Sequence, residues 1–439
     1  MLRSTLLEVV LLLGATTLGL GSPASDQRVL ASPPDSSNAP VRQHSVDSAI
    51  LAALEAHSDP VDAYLALHPE AAAELAEPRL LRVFGEQEPR WMTEGDKMRL
   101  RRKGNKFMDV TDYQQGYLDD VEAFSGKANL PNLTHQALVK ALFPRVSTDK
   151  MHHVLKHMTS YYNRLYSSVI GAESARWLHD EIAKIIDQSP VSTYISLEFF
   201  THTFAQPSII ARFEPKVRNF SHPLTILGAH QDSANYLFPL LPAPGADDDC
   251  SGTVSILEAF RVLAHSGYIP EHGPVEFHWY AAEEAGLWGS QAIARYKKDS
   301  RATIGAMMEF DMTAYVSRNA TESIGFVKTE ADGPLTEWAA NLAKEYIPIK
   351  SGIYELSPGA GSDYMSFTKQ NYPSAFATEG NPLSHNGPMG DFDPYVHTAK
   401  DTMDVDDEHG YFSIDHMAKF SKLAIAFAVE QAGWDNHWR

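Results

Sequence analysis

Two histidines and several carboxylates stand at or near the ends of strand-like stretches, where an α/β chain would gather them. His230 closes the apolar run 224–229, Glu283-Glu284 follow 275–281, which alternates with Phe277 and Trp279 as a strand would, and Asp311 follows the buried strand expected at 304–310. Gly245-Ala-Asp-Asp-Asp-Cys-Ser-Gly252 sets three carboxylates in a loop that enters a helix, and Tyr395-Val-His397-Thr-Ala-Lys-Asp401 adds a second imidazole. Taken singly, each has a plain structural reading: a histidine hydrogen-bonded in the core, or an Asp triplet that caps a helix. Together in one crevice, that many acids repel one another unless a cation neutralises them. Carboxylate oxygen and imidazole nitrogen suit hard or borderline divalent ions. Two His with three carboxylates suffice for a pair of ions ~3.5–4 Å apart that share one bridging carboxylate and one water. The chemistry of such a site is metal-assisted hydrolysis.

The elements that must position these groups are legible from about Ser125 onward, where strand-like and helix-like stretches alternate to the end. Ligands of open α/β sheets bind at the carboxyl ends of the strands, which is where His230, Glu283-Glu284 and Asp311 fall. Helices are expected near 151–165 and 172–186. Another covers 253–264, with Val254, Leu257, Phe260 and Leu263 on one face, and a closing helix covers 414–431 behind Ser413 as N-cap. The predicted fold is α/β, a mixed, mainly parallel twisted sheet sandwiched by helices and preceded by a small helical segment. In that segment Ala and Leu recur at helical spacing over 48–84, broken at Asp59-Pro60 and His68-Pro69, which predicts two or three short helices too small for a core of their own.

Composition narrows the function classes. The 439 residues are 44% hydrophobic and 21% charged, values of a globular chain. With 37 Lys+Arg against 56 Asp+Glu the net charge is −19, which disfavours a nucleic-acid partner. The single cysteine, Cys250, excludes an intramolecular disulfide and a cysteine-based zinc site. No Gly-x-Ser-x-Gly elbow is present, which argues against a serine hydrolase. Residues 1–24 read as an export signal: Arg3, an apolar run from Leu6 to Leu20 interrupted by Glu8, then Gly-Ser-Pro-Ala. That run is short for the ~30 Å core of a bilayer, so no membrane anchor is expected. Residues 25–45 have linker composition. Sequons at Asn132, Asn219 and Asn319 are compatible with a glycoprotein. Arg101-Arg102 reads equally as a processing site or as a solvated helix face.

His230-Gln-Asp232, Pro244-Gly-Ala-Asp-Asp-Asp-Cys-Ser-Gly252, Ala282-Glu-Glu-Ala-Gly286, Phe310-Asp-Met312 and Val396-His397 resemble, in order and spacing, the co-catalytic zinc aminopeptidases, above all the secreted fungal leucine aminopeptidases. The resemblance runs from about Trp91 to the carboxyl terminus and takes in Phe107-Met-Asp-Val-Thr111 and Tyr411-Phe-Ser-Ile-Asp415. It implies a zinc exopeptidase fold with a signal peptide (1–24), a pro-region (25–125) and a catalytic domain (126–439), made as a zymogen and secreted as an extracellular monomer. It implies two Zn2+ per subunit. His230 and Glu284, or the equivalent pairing, would hold the first, Asp248 would bridge, and Asp311 and His397 would hold the second. Glu283 would be the general base that draws a proton from the zinc-activated water. Substrates would be peptides with a free N-terminus, leucine or another large apolar residue first, against walls that include Met312 and Val396. Asp232 and Asp401 would orient His230 and His397.

One departure concerns the substrate loop. Many relatives carry a Cys-Gly-Tyr-Ala-Cys segment whose tyrosine helps to bind the substrate carbonyl. Here the stretch reads Ser357-Pro-Gly-Ala-Gly361, then Ser362-Asp-Tyr364, so disulfide and tyrosine are both missing and Tyr364 is the candidate replacement. The alternatives are a glutaminyl cyclase-like acyl transferase that uses one zinc, and a non-catalytic receptor-like ectodomain on the same fold. The filled set of two-metal positions argues against both.

Overall fold

Mainly apolar runs suit strands buried on both faces, and every residue of the central strands Leu224–His230, Val275–Tyr280 and Ile304–Phe310 is buried, the polar Glu276 and His278 included. The computed structural model describes residues 46–113, 127–386 and 389–435, all in the unit that begins at Gln43. The expected signal, the linker and the expected boundary near residue 125 lie outside the described residues.

Three strands near the amino end, β1 (Pro78–Val83), β2 (Arg90–Thr93) and β3 (Phe107–Asp109), form an antiparallel sheet in the order β2-β1-β3. The main sheet comprises β4 (Ile195–Phe200), β5 (Ser208–Phe213), β6 (Leu224–His230), β7 (Val275–Tyr280) and β8 (Ile304–Phe310). It is completed, after the short β9 (Tyr315–Ser317), by β10 (Ser323–Val327), β11 (Lys350–Tyr354) and β12 (Ser374–Glu379), while β13 (Gly410–Phe412) pairs with β9. The main-sheet order is β11-β10-β12-β8-β6-β7-β5-β4. Its four central strands β12, β8, β6 and β7 are parallel, and antiparallel pairings flank them on both sides.

Alternate residues of the central strands feed two cores. Leu227, Ala229, Phe277, Trp279, Met308 and Phe310 meet the helices Gly252–His265 and Ile414–Ala432. Ile226, Tyr280 and Met307 face the helices Trp288–Asp299 and Tyr364–Lys369. The closing helix begins as expected, with Ser413 Oγ accepting from the His416 N–H at 3.1 Å.

Two elements depart from expectation. The helix expected near 151–165 spans Thr148–Met158, because the chain must leave it to bury Arg164. The Arg164 guanidinium donates to the carbonyls of Gln231 (2.8 Å), Gly245 (2.9 Å) and Pro244, pinning the end of β6 to the aspartate loop. The amino-terminal segment is not only helical. Its helices Ser48–Ala56, Pro60–Leu67 and Ala72–Leu75 are followed by β1–β3, because Leu80, Phe84, Met108 and Val110 find burial in the second core. The segment thus shares a core with the rest of the chain.

Asn132, Asn219 and Asn319 are all exposed. Cys250 is buried, and burial pushes its thiol up to about 12. Reducing agent too dilute to strip metal is therefore expected to leave activity unchanged. A loss of activity at constant metal content would contradict this.

Candidate metal centre

β6, β7 and β8 end side by side, and the turns that follow carry the acids. His230 is the last residue of β6, Glu283 and Glu284 follow β7, and Asp311 follows β8. The Asp247–Asp249 loop approaches from the start of the helix Gly252–His265, and His397 enters on a stretch without helix or strand. Two groups of donor atoms result, His230/Asp248/Asp311 and Asp248/Glu284/His397, each with its atoms within 4.8 Å of one another. Asp248 belongs to both. Its Oδ1 lies 2.9 Å from His230 Nε2, its Oδ2 2.7 Å from His397 Nε2. Asp311 Oδ1 stands 3.7 Å from His230 Nε2 and Glu284 Oε2 3.6 Å from His397 Nε2. This corrects the expected pairing: His230 goes with Asp311, and Glu284 with His397. Adjacency of β6 and β8 in the sheet puts the first two together.

All six of these donor atoms are buried and none makes a hydrogen bond. Burial without hydrogen bonds is costly for polar atoms that face chiefly one another, and a divalent cation is the group that would satisfy carboxylate oxygens and imidazole nitrogens together. The charge balance agrees. Burial and then the Asp248 charge hold the Glu284 carboxyl well above its usual range. Burial alone would lower His230, but Asp232, Asp248 and Asp311 raise it well above its ordinary value.

The neighbouring acids are tied to backbone. Asp249 accepts from the N–H groups of His230 (3.1 Å), Gly252 (2.8 Å) and Met312 (3.2 Å), and Asp247 from Ala314 N–H (2.9 Å). The Asp248–Asp249 peptide is cis. Asp232 accepts from the N–H groups of Glu283 (3.0 Å) and Glu284 (3.2 Å), and His230 Nδ1 lies 3.2 Å from the Asp232 carbonyl and 3.5 Å from its carboxylate. Asp401 does not serve His397 as expected. Its carboxylate accepts from the N–H groups of Asp247 (2.7 Å) and Asp248 (3.1 Å), fixing the bridging loop. Met312 is buried in the second apolar core, which also holds Phe392, and Val396 packs half-buried against it. Tyr364 is fully buried, stacks on Phe376 and donates to Thr329 O at 2.6 Å, so its hydroxyl is spent in the core.

Glu283 stands outside both groups, with Oε2 buried and unpartnered. Burial, opposed by Lys106 and then His230, leaves its carboxyl raised to about 7. The Lys106 Nζ lies 3.3 Å from Glu283 Oε1. Burial opposes the Lys106 charge, but Glu283, with Tyr236, Asp248 and Glu284 behind it, holds that ammonium well above its ordinary pKa. Arg101 donates twice to the Glu284 carbonyl, at 3.0 and 2.6 Å, so it is not a solvated face, and Arg102 beside it is exposed. Lys106, Arg101, Arg164 and Tyr236 were not singled out as site residues from the sequence. Lys106, Arg101 and Arg164 reach the site from distant segments, and Tyr236, though it follows Asp232 closely, carries no local mark of a role there.

Comparison with known proteins gives the family. Residues 208–420 match Peptidase family M28. Leucine aminopeptidase 1 of Emericella nidulans is 38% identical over 376 residues, 83% of this chain and 91% of that protein. Leucine aminopeptidase 1 of Aspergillus niger is 39% identical over 355 residues, 78% of this chain and 86% of that protein. Among solved structures, the Legionella pneumophila LapA aminopeptidase superposes with a TM-score of 0.68 at 28% identity, covering 82% of this chain and 96% of that one.

Proposed function

The chain belongs to peptidase family M28 and is a peptide hydrolase, and we propose that it is a secreted leucine aminopeptidase that works with two zinc ions. The observation that carries this reading is the set of six buried donor atoms, none with a hydrogen bond, in two groups that share Asp248. His230, Asp311 and one oxygen of Asp248 would hold one ion, and Glu284, His397 and the other Asp248 oxygen the second. When bound, the ions supply Lewis acidity, which brings the pKa of a water towards neutrality and polarises a carbonyl.

Glu283, in neither group and with Oε2 unpartnered, is the carboxylate left to take a proton from the attacking water and return it to the leaving amine. Asp232 holds the backbone of both glutamates, so two neighbouring carboxylates keep separate tasks. Met312 and Val396 would wall the pocket for a large apolar first residue, which their packing in and against the apolar core that holds Phe392 supports.

The signal (1–24), the pro-region (25–125), a monomeric secreted product and glycans on the exposed Asn132, Asn219 and Asn319 belong to the same reading. Among the described residues, no helix is long and apolar enough to cross a membrane. The expected result is hydrolysis of a leucine anilide, no cleavage of its N-acetylated form, and loss of activity after prolonged chelation. Equal rates on both substrates, or indifference to the chelator, rules this reading out.

A further inference from the structure

His397 differs from the other groups of the metal centre in what holds it. His230 ends a central strand, Thr253 Oγ1 donates to its carbonyl at 2.7 Å, and its Nδ1 faces the Asp232 carbonyl. Asp311 Oδ2 accepts from Ser362 Oγ at 2.7 Å, and the Asp248 backbone is held by Asp401. His397 has no comparable support. It lies outside helix and strand, its neighbours Thr398, Ala399 and Lys400 are exposed, and its φ is +58°, a region costly for a residue other than glycine. Histidines that bind metal ordinarily donate their second ring N–H to an acceptor, which fixes the ring. Among the described residues, the His397 Nδ1 has no such partner, and Asp401 is committed elsewhere.

Tyr236 meets that need from two directions. Its backbone N–H donates to the His397 carbonyl at 3.0 Å, holding the unusual backbone. Its ring lies flat on the imidazole, with centroids 3.7 Å apart and planes 2° from parallel. The tyrosine is itself fixed: Asn235 beside it accepts from the Leu237 N–H at 3.0 Å and donates to the Pro242 carbonyl at 2.8 Å, which closes the loop around it. A metal draws electron density out of an imidazole, and an electron-poor ring is attracted to the electron-rich face of a phenol. The stack should therefore strengthen when the metal binds.

We propose that Tyr236 is the positioning residue of His397: its ring, not its hydroxyl, takes the place of the missing hydrogen-bond acceptor and sets the affinity of the Glu284/His397 metal position. This rests on the two-metal reading. Tyr236 is not a catalytic residue in this account, since it acts through His397.

The test is zinc stoichiometry and chelator-competition affinity on the purified protein and its Tyr236→Phe, Tyr236→Leu and Tyr236→Ala variants. Loss of an outer partner of a metal histidine typically costs ~10–100-fold in metal affinity. Tyr236→Phe should keep both equivalents at wild-type affinity. Tyr236→Leu, which fills the space without a π face, and Tyr236→Ala should each weaken one equivalent by ~10–100-fold and leave the other unchanged. General destabilisation would not give that selective loss, and added zinc should restore kcat in both variants. Wild-type affinity for both equivalents in Tyr236→Leu overturns the inference, and so does equal loss in Tyr236→Phe, which would assign the effect to the hydroxyl. A wild-type protein that takes up no second equivalent overturns the two-metal reading and this inference with it.

Discussion

Glu283→Gln is expected to lower kcat by ~10²–10⁴ while both metal equivalents stay bound. The amide keeps the size and the hydrogen-bonding capacity of the side chain but cannot accept the proton of the attacking water. Retention of metal follows from geometry, because Glu283 belongs to neither group of donor atoms. Glu284→Gln should behave differently. Glu284 Oε2 lies 3.6 Å from His397 Nε2 within the second group, so its loss should reduce metal content as well as rate. Metal analysis beside steady-state kinetics separates the two roles. Zinc loss in Glu283→Gln, with two ions retained in an inactive Glu284→Gln, would reverse the assignment. Wild-type rates in both would place the general base elsewhere.

The chain that retains its amino-terminal segment is expected to be latent. Lys106, from that segment, sets its ammonium 3.3 Å from the carboxylate assigned as general base, and its backbone N–H donates to Gly359 O at 3.1 Å. Asp109 N–H donates to Gly286 O at 3.1 Å, and Gln291 Nε2 reaches Asp109 O at 3.0 Å, so the segment is laced to the turn that carries Glu283 and Glu284. Breaking a buried ion pair costs ~3–5 kcal/mol. At 1.4 kcal/mol per factor of ten, a substrate that must displace it loses ~10²-fold or more in kcat/KM.

Proteolytic removal of the segment after folding should restore that factor, and Lys106→Met in the intact chain should restore part of it. The same shared core that makes the segment a cover makes it a folding aid, because Leu80, Phe84, Met108 and Val110 complete the second apolar core. Activity assays before and after limited proteolysis, with amino-terminal sequencing and deglycosylation of the secreted protein, check the proposal. Full activity in a chain that begins near residue 25 would refute it.

What the sequence determined by itself is what short-range pattern can encode. The mainly apolar stretches of β6 and β8, and the alternation of Phe277 and Trp279 in β7, mark strands of the sheet, and their ends carry His230, Glu283-Glu284 and Asp311 because sheets of this class present chemistry there. Ser413 caps its helix locally, and a lone Cys250 can form no bridge within the chain. Local pattern also made the acids and imidazoles readable as a metal set, since their number in one crevice demands a counter-charge.

Tertiary structure alone decided how those groups are shared out. Residue type alone does not separate three adjacent aspartates, and only the family motif pointed to Asp248; in the fold Asp249 turns to three backbone N–H groups, Asp247 to Ala314, and Asp248 alone faces both imidazoles. His230 meets Asp311 because strand order makes β6 and β8 neighbours. Asp401 serves a loop 154 residues before it, and Lys106 reaches a glutamate 177 residues after it. Contacts over such separations depend on how the sheet is ordered and how loops from both ends of the chain cross its edge. No periodicity, cap or spacing within a segment carries that information.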